Sequence, residues 1–155
     1  MKIEHEIEIS APVERVWGLT MDVEAWPSFT PTMTEVERLD EGELAVGSRA
    51  RIDQPGQSPR VWTVTELEPE RRFAWSTRAL GVSMIATHDL IRTENGTRNL
   101  IAVHLPGLLG GVLGTLLRRP LRKALAAENE GFKKAAEGRR LEAGDAWRGV
   151  VRGLG

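Results

Sequence analysis

Between residues 33 and 105 the apolar runs are separated by closely spaced turn-forming residues: Asp40-Glu41-Gly42, Pro55-Gly56, Glu68-Pro69-Glu70, Gly81 and Asn95-Gly96. Connections this short cannot carry the crossover that joins parallel strands, which needs a dozen or more residues, so successive strands must pair antiparallel as a meander. The expected strands are Met33–Leu39, Ser48–Asp53, Arg60–Leu67, Arg72–Ala79, Ser83–Arg92 and Thr97–Leu105. Asn-Gly tolerates positive φ at both positions of a two-residue hairpin turn. On that reading Glu94 pairs with Thr97 and His88 with Val103.

The flanks change period. Ile3, His5, Ile7 and Ile9 alternate with Glu4, Glu6 and Glu8, a half-buried strand with its acids toward water. Ser10-Ala11-Pro12 then leads into a helical run, Val13–Thr20, and Asp22 opens a second short helix that Pro27 ends near Trp26. At the far end Leu109, Val112, Leu113, Leu116, Leu117, Leu121, Leu125 and Phe132 recur at helical spacing, the core-facing stripe of a long helix. Pro120 must either kink that helix or mark where its straight portion begins. Beyond Gly138 the pattern dissolves, so residues 1–138 are read as one domain and residues 139–155 as a flexible tail that includes Trp147.

Composition excludes several chemistries. The absence of cysteine removes disulfides, thiolate nucleophiles and cysteine-based zinc sites, and zero tyrosine removes the phenol as a proton carrier. A net charge of -1 gives no electrostatic reason to expect a nucleic-acid partner. No apolar run reaches the ~20 residues needed to span a bilayer, and the acidic opening is unlike a signal peptide, so a cytoplasmic protein without stable membrane insertion is expected. No GxSxG, phosphate loop, dinucleotide fingerprint or HExxH occurs, so neither a cofactor nor a metal site is expected.

Four segments carry a resemblance. Ile9-Ser10-Ala11-Pro12-Val13-Glu14-Arg15-Val16-Trp17, Asp22-Val23-Glu24-Ala25-Trp26-Pro27-Ser28-Phe29, Glu66-Leu67-Glu68-Pro69-Glu70-Arg71-Arg72-Phe73-Ala74-Trp75 and Glu128–Glu137 resemble the opening, second helix, Pro-centred turn and final helix of the SRPBCC superfamily. That group includes START, Bet v 1-like and polyketide cyclase/dehydrase-like proteins. The resemblance covers residues 1–138 and implies an α+β helix-grip fold: a seven-stranded curved antiparallel sheet wrapped around a long C-terminal helix, with two short helices after strand 1. One fold hosts many sites, so it constrains function less than architecture. Family members bind lipids, quinones, hormones or polyketide-like compounds; some catalyse cyclisation or dehydration, and others are co-chaperones.

A sheet curved around one helix has a concave face larger than the helix can fill. The expected wall of the resulting cavity comprises Trp26, Phe29, Trp62, Phe73, Trp75 and Met84, with Leu113, Leu117, Leu121 and Leu125 from the helix. Core packing is the competing account of each aromatic. His5 and His88 fall on apolar strand faces and His104 on the solvated face; an inward histidine hydrogen-bonds a ligand or moves protons near neutral pH, or is simply a satisfied structural residue. Among arginines 49, 51, 60, 78 and 98, Arg78 is singled out for its place beside Trp75 and Thr77, the others being assigned to the outer face. Asp53, Glu66 and Asp89 are possible partners that no spacing pairs with a histidine. The run Leu108–Leu117 with Arg118, Arg119, Arg122 and Lys123 reads as helix core with a solvated basic flank, a membrane-touching helix being the alternative.

Three functions follow. The first is a monomer that binds a small hydrophobic molecule without catalysis. The second is a polyketide aromatase/cyclase or dehydratase using His88, His5 and Arg78. The third is a co-chaperone-like protein-binding module.

Overall fold

The computed structural model describes the backbone of residues 1–152 and the side chains of residues 1–138. The final helix runs past residue 138, where the tail is expected to begin, and the Trp147 side chain lies outside the described residues. Strand β1 (Lys2–Ile9) leads into helix α1 (Val13–Met21) and a 3-10 helix (Val23–Ser28). Strands β2 (Glu35–Arg38), β3 (Arg49–Asp53), β4 (Arg60–Glu68), β5 (Arg72–Ala79), β6 (Val82–Thr93) and β7 (Gly96–His104) follow, then helices α2 (Gly107–Leu116) and α3 (Arg118–Arg152). The strands form one seven-stranded sheet in the order β1-β7-β6-β5-β4-β3-β2. Every pairing is antiparallel, as short connections require. This is the helix-grip arrangement: a curved open sheet with a long C-terminal helix across its concave face.

Two features differ from expectation. The β6–β7 turn is Glu94-Asn95, with Thr93 opposite Gly96, so His88 pairs with Ile101 rather than Val103. Because the partner moves by two residues, His88 keeps its face, which is why the inward reading survives the register error. The C-terminal stripe is also two helices rather than one. The chain breaks at Leu117, and Pro120 sits in the first turn of α3, where its missing N–H is no loss to the helix.

The core is unevenly filled. At the β1–β7 end, α3 lies directly on the sheet. Asn129, fully buried, donates through Nδ2 to His5 Nδ1 and to the His5 carbonyl, each at 2.9 Å, and accepts from Asn99 Nδ2 at 2.9 Å. Phe132, also fully buried, packs against Phe29 and Trp26 with ring centroids 5.1 and 5.4 Å away. Lys133 Nζ reaches the Glu8 carbonyl and the Glu137 carboxylate, and that carboxylate accepts the Ser10 N–H. Toward β4 and β5 the helix lifts away from the sheet. Among the described residues no helix is long and apolar enough to cross a membrane.

Candidate functional site

The gap left there is a cavity of about 450 Å³. Its inner wall is an aromatic wedge. Trp26, fully buried, is fixed by its indole N–H on the Leu19 carbonyl (3.0 Å) and sits edge-on to Trp75, their centroids 5.2 Å apart. Trp75, Trp62, Met84 and Ala86 line the sheet side, and Leu113, Leu117, Leu121 and Leu125 line the helix side. Strand parity explains the sheet side: Trp75 pairs with Ala86 and Thr77 with Met84, so these side chains rise from the same concave face.

Two polar zones interrupt the apolar lining. The inner zone is a pair. His88 Nε2 lies 3.3 Å from Glu128 Oε1; His88 is 1% exposed, and both residues line the cavity. The imidazole is clamped between Trp26 and Phe132, with centroids at 5.1 and 5.5 Å, while its Nδ1 is buried without a hydrogen-bond partner among the described residues. The outer zone is Thr32, Gln54, Gln57 and Arg60, where Arg60 Nη1 donates to Gln57 Oε1 at 2.8 Å. Between the zones the Trp62 indole N–H is likewise buried without a partner.

Several expected residues stand elsewhere. His5 shares the inward face of β1, but Asn129 covers it at the filled end, and it does not line the cavity. Phe73 is on the right face yet is enclosed by Trp26, Trp75 and His88, so it belongs to the core beneath the wedge. Phe29 packs on Phe132 and faces a separate groove between α1 and α3. Arg78 is exposed: period two puts it opposite Trp75 and Thr77, and the inward position beyond Thr77 is Ala79. Arg60, assigned with the outer arginines, is the arginine that lines the cavity. Glu66 and Asp89 meet no histidine; both bind Arg72, Asp89 with both oxygens at 2.8 and 2.9 Å.

Glu128, like Thr32, Gln54 and Gln57, lines the cavity without having been expected there. It lies in phase with Leu121, Leu125 and Phe132 on the helix stripe, and an acid in that register faces the core. The phase alone would have found it.

Residues 1–137 match the profile of the family described as polyketide cyclase / dehydrase and lipid transport. The chain belongs to this family. Consistent with membership, it is 35% identical over 69 residues to a candidate polyketide cyclase of Streptomyces cyaneus, a match spanning 44% of this chain and 45% of that relative. The chain thus covers less than half the length of that protein. Two solved structures share the fold. One, a hypothetical protein of Helicobacter pylori, superposes with a TM-score of 0.75 at 15% identity and covers 88% of each chain. The other, the di-domain ARO/CYC StfQ from the steffimycin biosynthetic pathway, gives 0.72 at 15% identity, covering 90% of this chain and 51% of that one.

Proposed function

We propose that this family member binds a small, mainly apolar, oxygen-bearing molecule of the polyketide class, with one of its oxygens at the His88–Glu128 pair. The observation that carries the reading is the cavity itself: a mainly apolar hollow of about 450 Å³ whose few hydrogen-bonding groups are two polar zones and the Trp62 indole N–H. Volume and lining suit a molecule with an extended apolar body and separated oxygens, since few, well-placed polar groups set orientation in such pockets. A ligand oxygen near Trp62 would accept a hydrogen bond its indole lacks within the protein.

A second reading, catalysis, has one observation in its favour. An imidazole and a carboxylate in contact within a mainly apolar cavity can take a proton from a carbon beside a carbonyl and return it to an oxygen. Cyclisation or dehydration of a polyketide chain needs such transfers together with confinement of a flexible substrate.

The test is a tryptophan-fluorescence titration with fatty acids, quinones and aromatic polyketides, using Trp26, Trp62 and Trp75 as reporters. Saturable quenching by a polyketide, weakened about ten-fold by His88→Ala and unchanged by His5→Ala, supports the binding reading. Quenching by none of the three classes, or equal affinity in both variants, contradicts it. Retained affinity with lost turnover in Glu128→Gln would favour the enzyme.

A further inference from the structure

Helix α2 is built inside out for a protein surrounded only by water. Its buried residues are Gly110 and Gly114, while Leu108, Leu109, Val112 and Leu116 are exposed, Leu108 by 92% and Leu116 by 74%. The glycines are there because the helix lies so close to its own domain. A Cβ on Gly110 would fall 2.6 Å from the Leu105 carbonyl oxygen, and one on Gly114 would fall 2.6 Å from Met1 Cγ. With the glycine edge inward, Leu108, Leu109, Val112 and Leu116 turn outward, while Leu113 faces the cavity. The expectation that Leu109, Val112 and Leu116 join the core is therefore corrected.

Further exposed apolar residues stand at the cavity itself. Leu80, at the tip of the β5–β6 hairpin, is 81% exposed and lines the cavity, as does the 38% exposed Leu117. Leu80 and Gly81 form that two-residue turn at φ 54° and 76°, a backbone that leucine seldom adopts. Contiguous exposed apolar surface of this kind marks an interaction site.

Its border is one-signed. Arg118, Arg119, Arg122 and Lys123 follow directly on α2, all are exposed, and no acidic residue occurs from residue 105 to residue 127. Among the described residues none of these four cations has an ion-pair partner, although the chain forms such pairs readily on the outer face of its sheet. The patch offers methyl groups and positive charge, with no aromatic anchor. Its single hydroxyl, Thr115, is already donating to the Gly111 carbonyl. Protein interfaces are ordinarily rich in aromatic anchors and directed hydrogen bonds. An apolar face bordered by cations matches instead the boundary between acyl chains and anionic headgroups.

We propose that α2, the Leu80 hairpin tip and the Arg118–Lys123 cluster dock this protein peripherally on an anionic lipid surface, with the cavity mouth turned toward the bilayer. The docking goes beyond the cavity's ligand and holds whichever molecule that is.

The experiment is co-sedimentation of the full chain with vesicles of phosphatidylcholine alone or mixed with phosphatidylglycerol. The wild type is expected to sediment with the mixed vesicles and to be released as salt rises from about 0.1 M to about 1 M. Leu108→Asp with Leu116→Asp should abolish sedimentation. Arg118→Gln with Arg122→Gln should weaken it about twenty-five-fold, since each basic group near such a surface is worth about five-fold. All four side chains are exposed, so unchanged thermal unfolding will show that both variants fold. Failure of the wild type to bind mixed vesicles at low salt overturns the proposal, as does equal binding by the leucine variant. A wild-type dimer that Leu116→Asp splits, with vesicles left bare, would assign the face to a second copy and equally overturn it.

Discussion

His5 and His88 lie in one cross-strand row, both opposite Ile101, and consecutive residues of one helix meet them. Asn129 meets His5 and Glu128 meets His88. Their surroundings nonetheless diverge. At His5 the helix rests on the sheet and an amide ties three elements together. At His88 the helix is already leaving the sheet, and the carboxylate opposite the imidazole borders open space. Two consecutive helix residues thus mark where the interior passes from solid to hollow. Residue type and strand parity are the same for both histidines, so what separates their roles is how far the helix stands from the sheet at each.

Mutations at the two ends should therefore differ in kind. Phe132→Ala at the filled end is expected to cost about 3–5 kcal/mol in urea denaturation, because its close-packed neighbours cannot collapse into the void. Met84→Ala at the hollow end should cost only about 1 kcal/mol, since its side chain already borders a cavity. Comparable losses would mean that the two ends are packed alike.

The polar partners sharpen the contrast. Asn129→Ala leaves the half-buried His5 Nδ1 and the buried Asn99 amide without their partner and is expected to cost about 2 kcal/mol. Glu128→Gln keeps the shape of the side chain and should change stability by less than about 1 kcal/mol, its effect appearing in ligand affinity or turnover instead. A larger stability loss from Glu128→Gln than from Asn129→Ala would reverse the assignment of scaffold and site.

The smallest effect concerns pH. The Lys133 ammonium, and then the Ser10 N–H, hold the Glu137 carboxyl below its usual range. A carboxyl whose folded pKa is depressed stabilises the fold above its unfolded pKa of about 4.3, and loses that contribution as pH falls through the lower folded value. Glu137→Gln should therefore lower stability by about 1 kcal/mol at pH 7, with the two proteins converging in strong acid. A difference that persists undiminished there would show that the carboxylate's charge is not responsible.

Much of this contrast was legible in the sequence and part was not. Period two in Ile3–Ile9 and in Phe73–Ala79, with the closely spaced turns, required the antiparallel sheet; and because parity tolerates a two-residue slip, His88 faced inward whatever its partner. Arg78 was misplaced where proximity along the chain was allowed to outweigh that same parity. The inside-out character of α2 was hidden for another reason: a helix rich in both leucine and glycine has two candidate inner edges, and only the close approach of Leu105 and Met1 selects the glycine one. The distance between helix and sheet, which decides filled from hollow, is set by the whole packing and leaves no local signature.

Native mass spectrometry of the protein purified under mild conditions, alongside Ala86→Leu, tests the hollow end most directly. Ala86 lines the cavity, so the added side chain occupies that space. The wild type is expected to carry a small apolar molecule and the variant, folded and similarly stable, to carry none. The same adduct on both proteins, or a wild type that stays bare after incubation with polyketides, quinones and fatty acids, would contradict this expectation.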